Sequence, residues 1–261
     1  MLAVAHSPHR EDEARALANR LGLECLDEWS LDDNSQYAQL LVLDSDGLGL
    51  FTTGKKRPGA VRVDFLAGAV NHRRLYGGGQ GQQIVKACGI SSGFKPYIAD
   101  MTAGLGRDSF VLSSMGSKVD MVERNPVVAA LLADGLARAT HSDDEAVRMI
   151  ISRMTLNQGE SITWLERLEQ APDVVYLDPM FPHTDKSAQV KKEMLAFRSL
   201  VGADEDSELL LGAALSAARC RVVVKRPRKA PSIQGPKPSY ALEGKSGRFD
   251  IYALQRLAPA S

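Results

Sequence analysis

Pro96–Asn125 reads PYIADMTAGLGRDSFVLSSMGSKVDMVERN, and the rest of the chain can be placed around it. A short apolar run (Tyr97, Ile98, Ala99) ends at Asp100, and a glycine turn follows (Ala103-Gly104-Leu105-Gly106). After a helical segment, a second apolar run, Val119 to Val122, ends at Glu123. The order is strand, glycine loop, helix, strand with a terminal acid. A loop without Cβ atoms lets backbone N–H groups and the following helix N-terminus come close to a nucleotide-like ligand. An acid at the tip of the next strand is placed to accept hydrogen bonds from both hydroxyls of a ribose. The stretch predicts an α/β chain that holds an adenosine-containing cofactor.

Two cofactor classes fit this pattern. A dinucleotide loop reads G-x-G-x-x-G, and here Ser109 stands at the third glycine position after Gly104 and Gly106. The pattern D-x-x-x-G-x-G with an acid about twenty residues on also suits S-adenosylmethionine (SAM), which has a ribose but no pyrophosphate to cradle. The stretch Asp173–His183, DVVYLDPMFPH, separates them. Val174-Val175-Tyr176-Leu177 has the composition of a buried parallel strand, and it runs into Asp178-Pro179-Met180-Phe181-Pro182. This resembles the [DNS]-P-P-[YFW] signature of methyltransferases that modify exocyclic amines of bases, with Met180 in place of the second proline. Such amines are poor nucleophiles because the lone pair is delocalised into the ring. Catalysis needs an acceptor for the N–H groups, a role open to Asp178, and an aromatic face to hold the base in line with the methyl group, a role open to Phe181. Pro179 and Pro182 stiffen the turn.

Composition sets the remaining bounds. At 261 residues, 44% apolar and 25% charged, the chain reads as an ordinary globular protein of one large or two small domains. No signal peptide and no run near the roughly 18 apolar residues of a membrane span is visible, so a cytoplasmic location is expected. Cys25, Cys88 and Cys220 lie far apart with no C-x-x-C, and the histidines show no ligand spacing, so no metal is expected. The net charge of zero conceals segregation. Residues 1–50 carry ten acids and three Lys/Arg, a net of −7, whereas residues 51–95 carry eight Lys/Arg and one acid, and residues 219–250 nine Lys/Arg and two acids, each a net of +7. Two basic stretches flanking a cofactor motif predict a polyanionic partner.

Outside the two motifs, residues 1–53 are expected to form a small α/β or β-rich unit. It has a helix over Glu11–Leu21 and a hairpin turning at Asp44-Ser45-Asp46-Gly47. A basic loop, Lys55-Lys56-Arg57-Pro58-Gly59, precedes Val61 and Val63, a helix from Asp64 to Tyr76 and the glycine-rich Gly77-Gly78-Gly79-Gln80-Gly81. A helix over Gln82–Cys88 leads to a domain boundary near residue 92, giving domains 1–92 and 93–261. Beyond Glu123, Pro126 opens a helix through Arg138. The stretch Val147–Leu156 ends in a third strand, and Asn157 to Ser161 form the loop at its tip, which brings Glu160 and Ser161 to where an adenine edge is read. Helices follow over Ser187–Leu200 and Ser207–Arg219. A strand Arg221–Lys225 enters the basic run Arg226-Pro227-Arg228-Lys229, and the last strand is Arg248–Leu254. A non-helical connection between those two strands requires antiparallel pairing.

Long motifs carry a resemblance to the bacterial small-subunit ribosomal RNA methyltransferase J family: VDFLAGAVNHRR-x-x-GGG-x-G, D-x-TAGLGRD-x-F, ERNPVVAALL-x-DGLAR, VVYLDPMFPH, SA-x-VKKEM, RVVVKRP and RFDIYA. The resemblance implies a Rossmann-like class I SAM-dependent methyltransferase sheet, mostly parallel with an antiparallel C-terminal strand. It also implies SAM as methyl donor, and methylation of the exocyclic N2 of one guanine in 16S rRNA of the small ribosomal subunit. The cofactor contacts it implies are Arg107 and Asp108 of the loop, Glu123 and Arg124 after the second strand, and Asp178. They join Asp100, Gly104 and Gly106 from the glycine motif. The family's adenine-side Ser-Ser pair falls on Glu160-Ser161, so Glu160 departs from the pattern. A nucleotide-dependent oxidoreductase or a non-catalytic RNA-binding protein are the alternatives: the first lacks its third glycine, and the second would leave Asp178-Pro179-Met180-Phe181 idle.

Overall fold

The computed structural model describes residues 1–33, 36–66, 81–180, 206–244 and 247–257. The N-terminal unit contains β1 (Leu2–His6), α1 (Glu11–Leu21), β2 (Cys25–Leu26), β3 (Gln39–Asp44) and β4 (Gly47–Thr52). Its sheet runs β2-β1-β3-β4, with β1 parallel to both neighbours and β3–β4 the expected hairpin. Asp44 accepts a hydrogen bond from the Asp46 backbone N–H across that turn. Three acids in the first turn of α1 and a left-handed Gly22 after its last turn explain where that helix starts and stops.

The second sheet has seven strands: β5 (Ile98–Asp100), β6 (Val119–Glu123), β7 (Met154–Gln158), β8 (Val174–Leu177), β9 (Arg221–Pro227), β10 (Tyr240–Glu243) and β11 (Gly247–Ala253). Their order is β10-β11-β9-β8-β5-β6-β7. Pairings from β7 to β9 are parallel, and β11 is antiparallel to both β9 and β10. This is the mostly parallel sheet with an antiparallel C-terminal strand that the motifs imply. The chain steps outward from β5 in both directions, so the carboxyl ends of β5 and its neighbours form a topological switch point, where open α/β sheets bind ligands.

The helices of this part are α2 (Gln83–Ala87), α3 (Arg107–Ser114), α4 (Pro126–Thr140), α5 (Glu145–Ile151), α6 (Ser161–Glu166) and α7 (Ser207–Ala217). Helix α4 begins as the sequence predicts, with Pro126 in its first turn and the Asn125 side chain accepting from the N–H groups of Val127 and Val128. The expected third strand is β7, which begins at Met154 and runs two residues past Leu156. Residues 145–151 are helical because Asp144 caps them, its carboxylate accepting from Ala146 and Val147, and Asn157 and Gln158 fall inside β7 rather than in the loop. Strands β2 and β10 were not expected; both are short and lack a clear apolar alternation. The expected helices at 64–76 and 187–200 and the glycines Gly77 to Gly79 lie outside the described residues, apart from residues 64–66, which are not helical.

One apolar core joins the two sheets. Val4, Leu41 and Leu50 from the first belong to the same cluster as Ile98, Val119 and Met121 from the second and Phe110, Leu131 and Leu132 from α3 and α4, together with Val61, Val63 and Phe65. Phe65 stacks on Phe110 with ring centroids 5.0 Å apart. Gly135 lets α4 close on this bridge, since a Cβ there would lie 2.9 Å from the Val63 carbonyl oxygen. Among the described residues no helix is long and apolar enough to cross a membrane.

Candidate active site

Strand alternation decides which side chains meet. Successive residues of a strand face opposite sides of the sheet. Ile98, Val119, Met121, Val174, Tyr176 and Val223 lie on the face covered by α3, and Ala99, Val122, Val175, Leu177, Val222 and Val224 on the other. Continuing the first series to the strand tips brings Asp100, Glu123, Asp178 and Lys225 to one face at the carboxyl end of four adjacent strands.

The glycine loop is fastened to these tips by hydrogen bonds. Asp100 lies beneath it, only 1% exposed; its carboxylate accepts from the Thr102 N–H at 3.1 Å and from the Ser109 hydroxyl. Ser109, which excludes the third glycine of a dinucleotide motif, thus has a use here. The Glu123 carboxylate accepts from the Gly104 N–H at 2.9 Å through one oxygen and from the Asn125 N–H at 2.8 Å through the other. The two glycines differ. At Gly106, the left-handed residue before α3, a Cβ would meet Leu132 at 2.7 Å. At Gly104 (φ 54°) the nearest atom to such a Cβ is the Thr102 carbonyl oxygen at 3.9 Å. Gly106 is closed by the core, while Gly104, whose N–H donates to Glu123, has free space where a Cβ would stand.

Asp178 follows β8 directly. Its N–H donates to the Thr102 hydroxyl at 2.6 Å, so the turn after β8 is tied to the glycine loop through one side chain. Pro179 is buried, Met180 half-buried, and Phe181 lies outside the described residues. Asp108, at the start of α3, accepts from the Tyr176 hydroxyl at 2.8 Å and from Lys225 Nζ at 2.7 Å, and the same ammonium donates to Asp178 at 2.8 Å. Burial pushes the Lys225 ammonium down, but Asp108 and Asp178 outweigh it and hold the group charged well above its ordinary range.

The other expected residues occupy the rim. Arg107 is exposed at the first position of α3. Arg124 makes a forked ion pair with Asp206, at 3.0 and 2.9 Å, ahead of α7. Glu160 is exposed and precedes α6, whereas Ser161 is buried and donates to the Met101 carbonyl at 2.6 Å, which fixes α6 to the end of β5. Sequence reasoning missed Lys225, Thr102 and Tyr176. Lys225 is read there only as the end of a strand, although alternation in RVVVKRP already sets it on the face of Val223. Arg226, expected in the outward basic run, is instead 3% exposed, with its guanidinium turned to the Pro231 carbonyl. Arg248 holds the same loop by donating to the carbonyls of Arg228 at 2.9 Å and Ala230 at 2.7 Å, while Asp250 anchors Arg248 and Ser232. The basic residues of this loop that remain outward are Arg228 and Lys229.

A pH prediction follows from Asp100. Burial pushes its carboxyl up to about 7, with Ser109 and Thr102 pulling it down and Asp108 and Asp178 pushing it further up. A folded-state pKa above the unfolded value, 3.8, means that the folded protein binds the extra proton. The corresponding stability is present below the unfolded value and is lost as pH rises towards 7. Asp100→Asn is expected to remove that component, so the difference in Tm between mutant and wild type should shift in the mutant's favour between about pH 4 and pH 7. Parallel Tm-versus-pH curves would show that Asp100 is ionised throughout.

The family model described as "Putative SAM-dependent methyltransferase" matches residues 24–254. A protein of Cellvibrio japonicus named ribosomal RNA small subunit methyltransferase J is 56% identical over 223 residues, covering 84% of each chain. One of the same name from Marinobacter nauticus is 52% identical over 260 residues, covering 98% of this chain and 93% of its own. The crystal structure of a SAM-dependent methyltransferase from Neisseria gonorrhoeae superposes with a TM-score of 0.74 at 35% identity, covering 96% of this chain and 95% of that one. A chain with this sheet, this glycine loop and likeness along nearly its whole length belongs to the SAM-dependent methyltransferases, in the family of ribosomal RNA small subunit methyltransferase J.

Proposed function

We propose that this methyltransferase modifies the exocyclic N2 amine of one guanosine in 16S rRNA of the small ribosomal subunit, in the cytoplasm. The observation that carries the reading is the hydrogen bond from Asp178 N–H to Thr102, which joins an amine-methylation turn to a nucleoside-binding loop. The names of the relatives support rRNA as the substrate class.

SAM, when bound, supplies a methyl group already activated on a sulfonium, so the reading calls for neither a metal nor a covalent enzyme intermediate. Glu123 takes the ribose hydroxyls, and Gly104 leaves room for the nucleoside. Arg107, Asp108 and Arg124 line the rest of the cofactor side with Glu160 and Ser161 towards the adenine, while Asp100 and Gly106 set the loop from beneath. Asp178 accepts a hydrogen bond from the target amine and so localises the attacking lone pair, Pro179 fixes the turn, and Phe181 stacks on the flipped base. Phe181→Ala should forfeit roughly 1–3 kcal/mol of base stacking. On this reading residues 93–261 carry the chemistry, and residues 1–92 form a subdomain whose basic loop helps to grip RNA. The test is transfer of label from methyl-labelled SAM to small subunits from a strain lacking the enzyme, with the modified nucleotide mapped. Label on any atom other than a guanine N2 refutes the assignment.

The RNA surface has its own expected result. Lys55 and Lys56 are exposed, as are Arg228 and Lys229 on the loop held by Arg248. Replacing these four by Gln should flatten the salt dependence of RNA binding by roughly 0.7–0.9 in log–log slope for each phosphate no longer neutralised. Calorimetric SAM affinity should be unaffected. An unaltered slope would mean that these loops are only solvated.

A further inference from the structure

We propose that Lys225 is a positioning residue for methyl transfer: its ammonium, held between Asp108 and Asp178, keeps the Asp178 carboxylate aimed at the target amine and couples the base-reading turn to the start of the cofactor helix. The inference rests on the reading of the Asp178 turn given above. In the ladder between β8 and β9, Leu177 pairs with Val224, so Asp178 and Lys225 are the next residues along on adjacent parallel strands. Lys225 Nζ is 2.8 Å from Asp178 Oδ2 and 2.7 Å from Asp108 Oδ2. Its two partners come from separate functional parts, the turn after β8 and the first turn of α3.

The surroundings explain why an ammonium is needed at this place. Asp178 feels Asp100 from β5, while Asp108 and the Tyr176 hydroxyl, from α3 and β8, are bonded to each other. Cys88, just after α2, and Arg221 of β9 face the same cluster from further down, and Phe249 is the neighbour of Lys225 on β11. Three carboxylates therefore converge, and among the described residues Lys225 is a cation bonded to two of them. Like charges brought this close favour taking up a proton on one of them. A protonated Asp178 is a poorer acceptor for the amine, and without the lysine its carboxyl is also freed to swing away from Asp108. A forked, charge-assisted contact of this kind restricts both orientation and protonation.

The experiment is single-turnover methyl transfer to the RNA substrate at saturating SAM, followed across pH, for Lys225→Met, Lys225→Arg, Asp178→Ala and the double variant Lys225→Met/Asp178→Ala. Lys225→Met should slow transfer by about tenfold to a hundredfold at neutral pH, the worth of one charge-assisted hydrogen bond. Its acid limb should move to higher pH, so that raising the pH recovers much of the loss. Lys225→Arg should keep the wild-type limb at an intermediate rate. The double variant should be no slower than Asp178→Ala, because the lysine acts through that carboxylate. Calorimetric SAM affinity of Lys225→Met should fall less than its rate. If Lys225→Met does not fold, Lys225→Gln carries the same test. A wild-type rate and limb in the lysine variant, beside a slow Asp178→Ala, would overturn the positioning role and leave the Asp178 reading standing. Equal losses with and without Asp178 would overturn it as well, since the pair would then be only structural. A fast Asp178→Ala would overturn both.

Discussion

Asp178→Ala is expected to slow single-turnover methyl transfer at saturating SAM by about a hundredfold to a thousandfold, the usual cost of removing one preorganised electrostatic group from a reacting centre. Equilibrium binding of SAM should weaken as well, by a smaller factor. Its carboxylate is bonded to Lys225 and its backbone N–H to Thr102, so it borders the cofactor loop on one side and the proposed amine position on the other. The rate should fall further than the affinity because alignment of the amine lone pair matters mainly in the transition state. Truncation leaves the backbone bond to Thr102 available, so the turn should keep its place and the mutant should remain folded. A near-normal single-turnover rate would make the turn structural and assign the chemistry to other residues.

Glu123→Ala should weaken calorimetric SAM affinity by at least about tenfold, the loss of one charge-assisted hydrogen bond at roughly 1.5–3 kcal/mol, and by more than about a hundredfold if both ribose hydroxyls are deprived of their acceptor. The structure adds a second contribution. The same carboxylate holds the N–H groups of Gly104 and Asn125, so its removal also releases the glycine loop and the entry to α4. Glu123→Gln separates the two effects: its carbonyl oxygen can still accept from one of those N–H groups, but it carries no charge. If Gln restores most of the affinity, the acid serves chiefly to shape the loop; if it does not, the charge itself is needed. Unchanged affinity in folded Glu123→Ala would remove the ribose role.

The main sheet and its glycine loop were legible because they rest on local rules. Buried parallel strands are apolar runs, the loop needs glycine at positive φ, and Asn125-Pro126 marks a helix start without reference to the rest of the fold. The antiparallel last strand could also be inferred, from the lack of a crossover helix. What stayed hidden depends on distance in sequence. Lys225 and Asp108 are 117 residues apart, and only the strand order makes them neighbours. Thr102 looks like any loop residue until the end of β8 is laid beside it. Lys225 and Arg226 are adjacent in sequence yet point to opposite faces, so the expected strand ends on a lysine bonded to Asp178 and the basic run after it opens on an inward arginine. Strand β10 was missed because it is mostly exposed and carries little apolar signal.

Among the described strands, β10 has β11 as its single hydrogen-bonded neighbour, and β11 itself lies between β10 and β9. Tyr240–Glu243 therefore reaches the sheet only through the later Gly247–Ala253, which pairs with it on one side and with β9 on the other. Arg248 and Asp250 arrive with that late strand, and they are the residues that tether the basic loop at 227–232. A chain that ends after β9 would already have the strands that carry Asp100, Glu123, Asp178 and Lys225, but its basic loop would lack these tethers. On the reading proposed above, the methyl-donor side is thus built from strands that come earlier in the chain, while the shape of the RNA-gripping basic loop depends on the last strand.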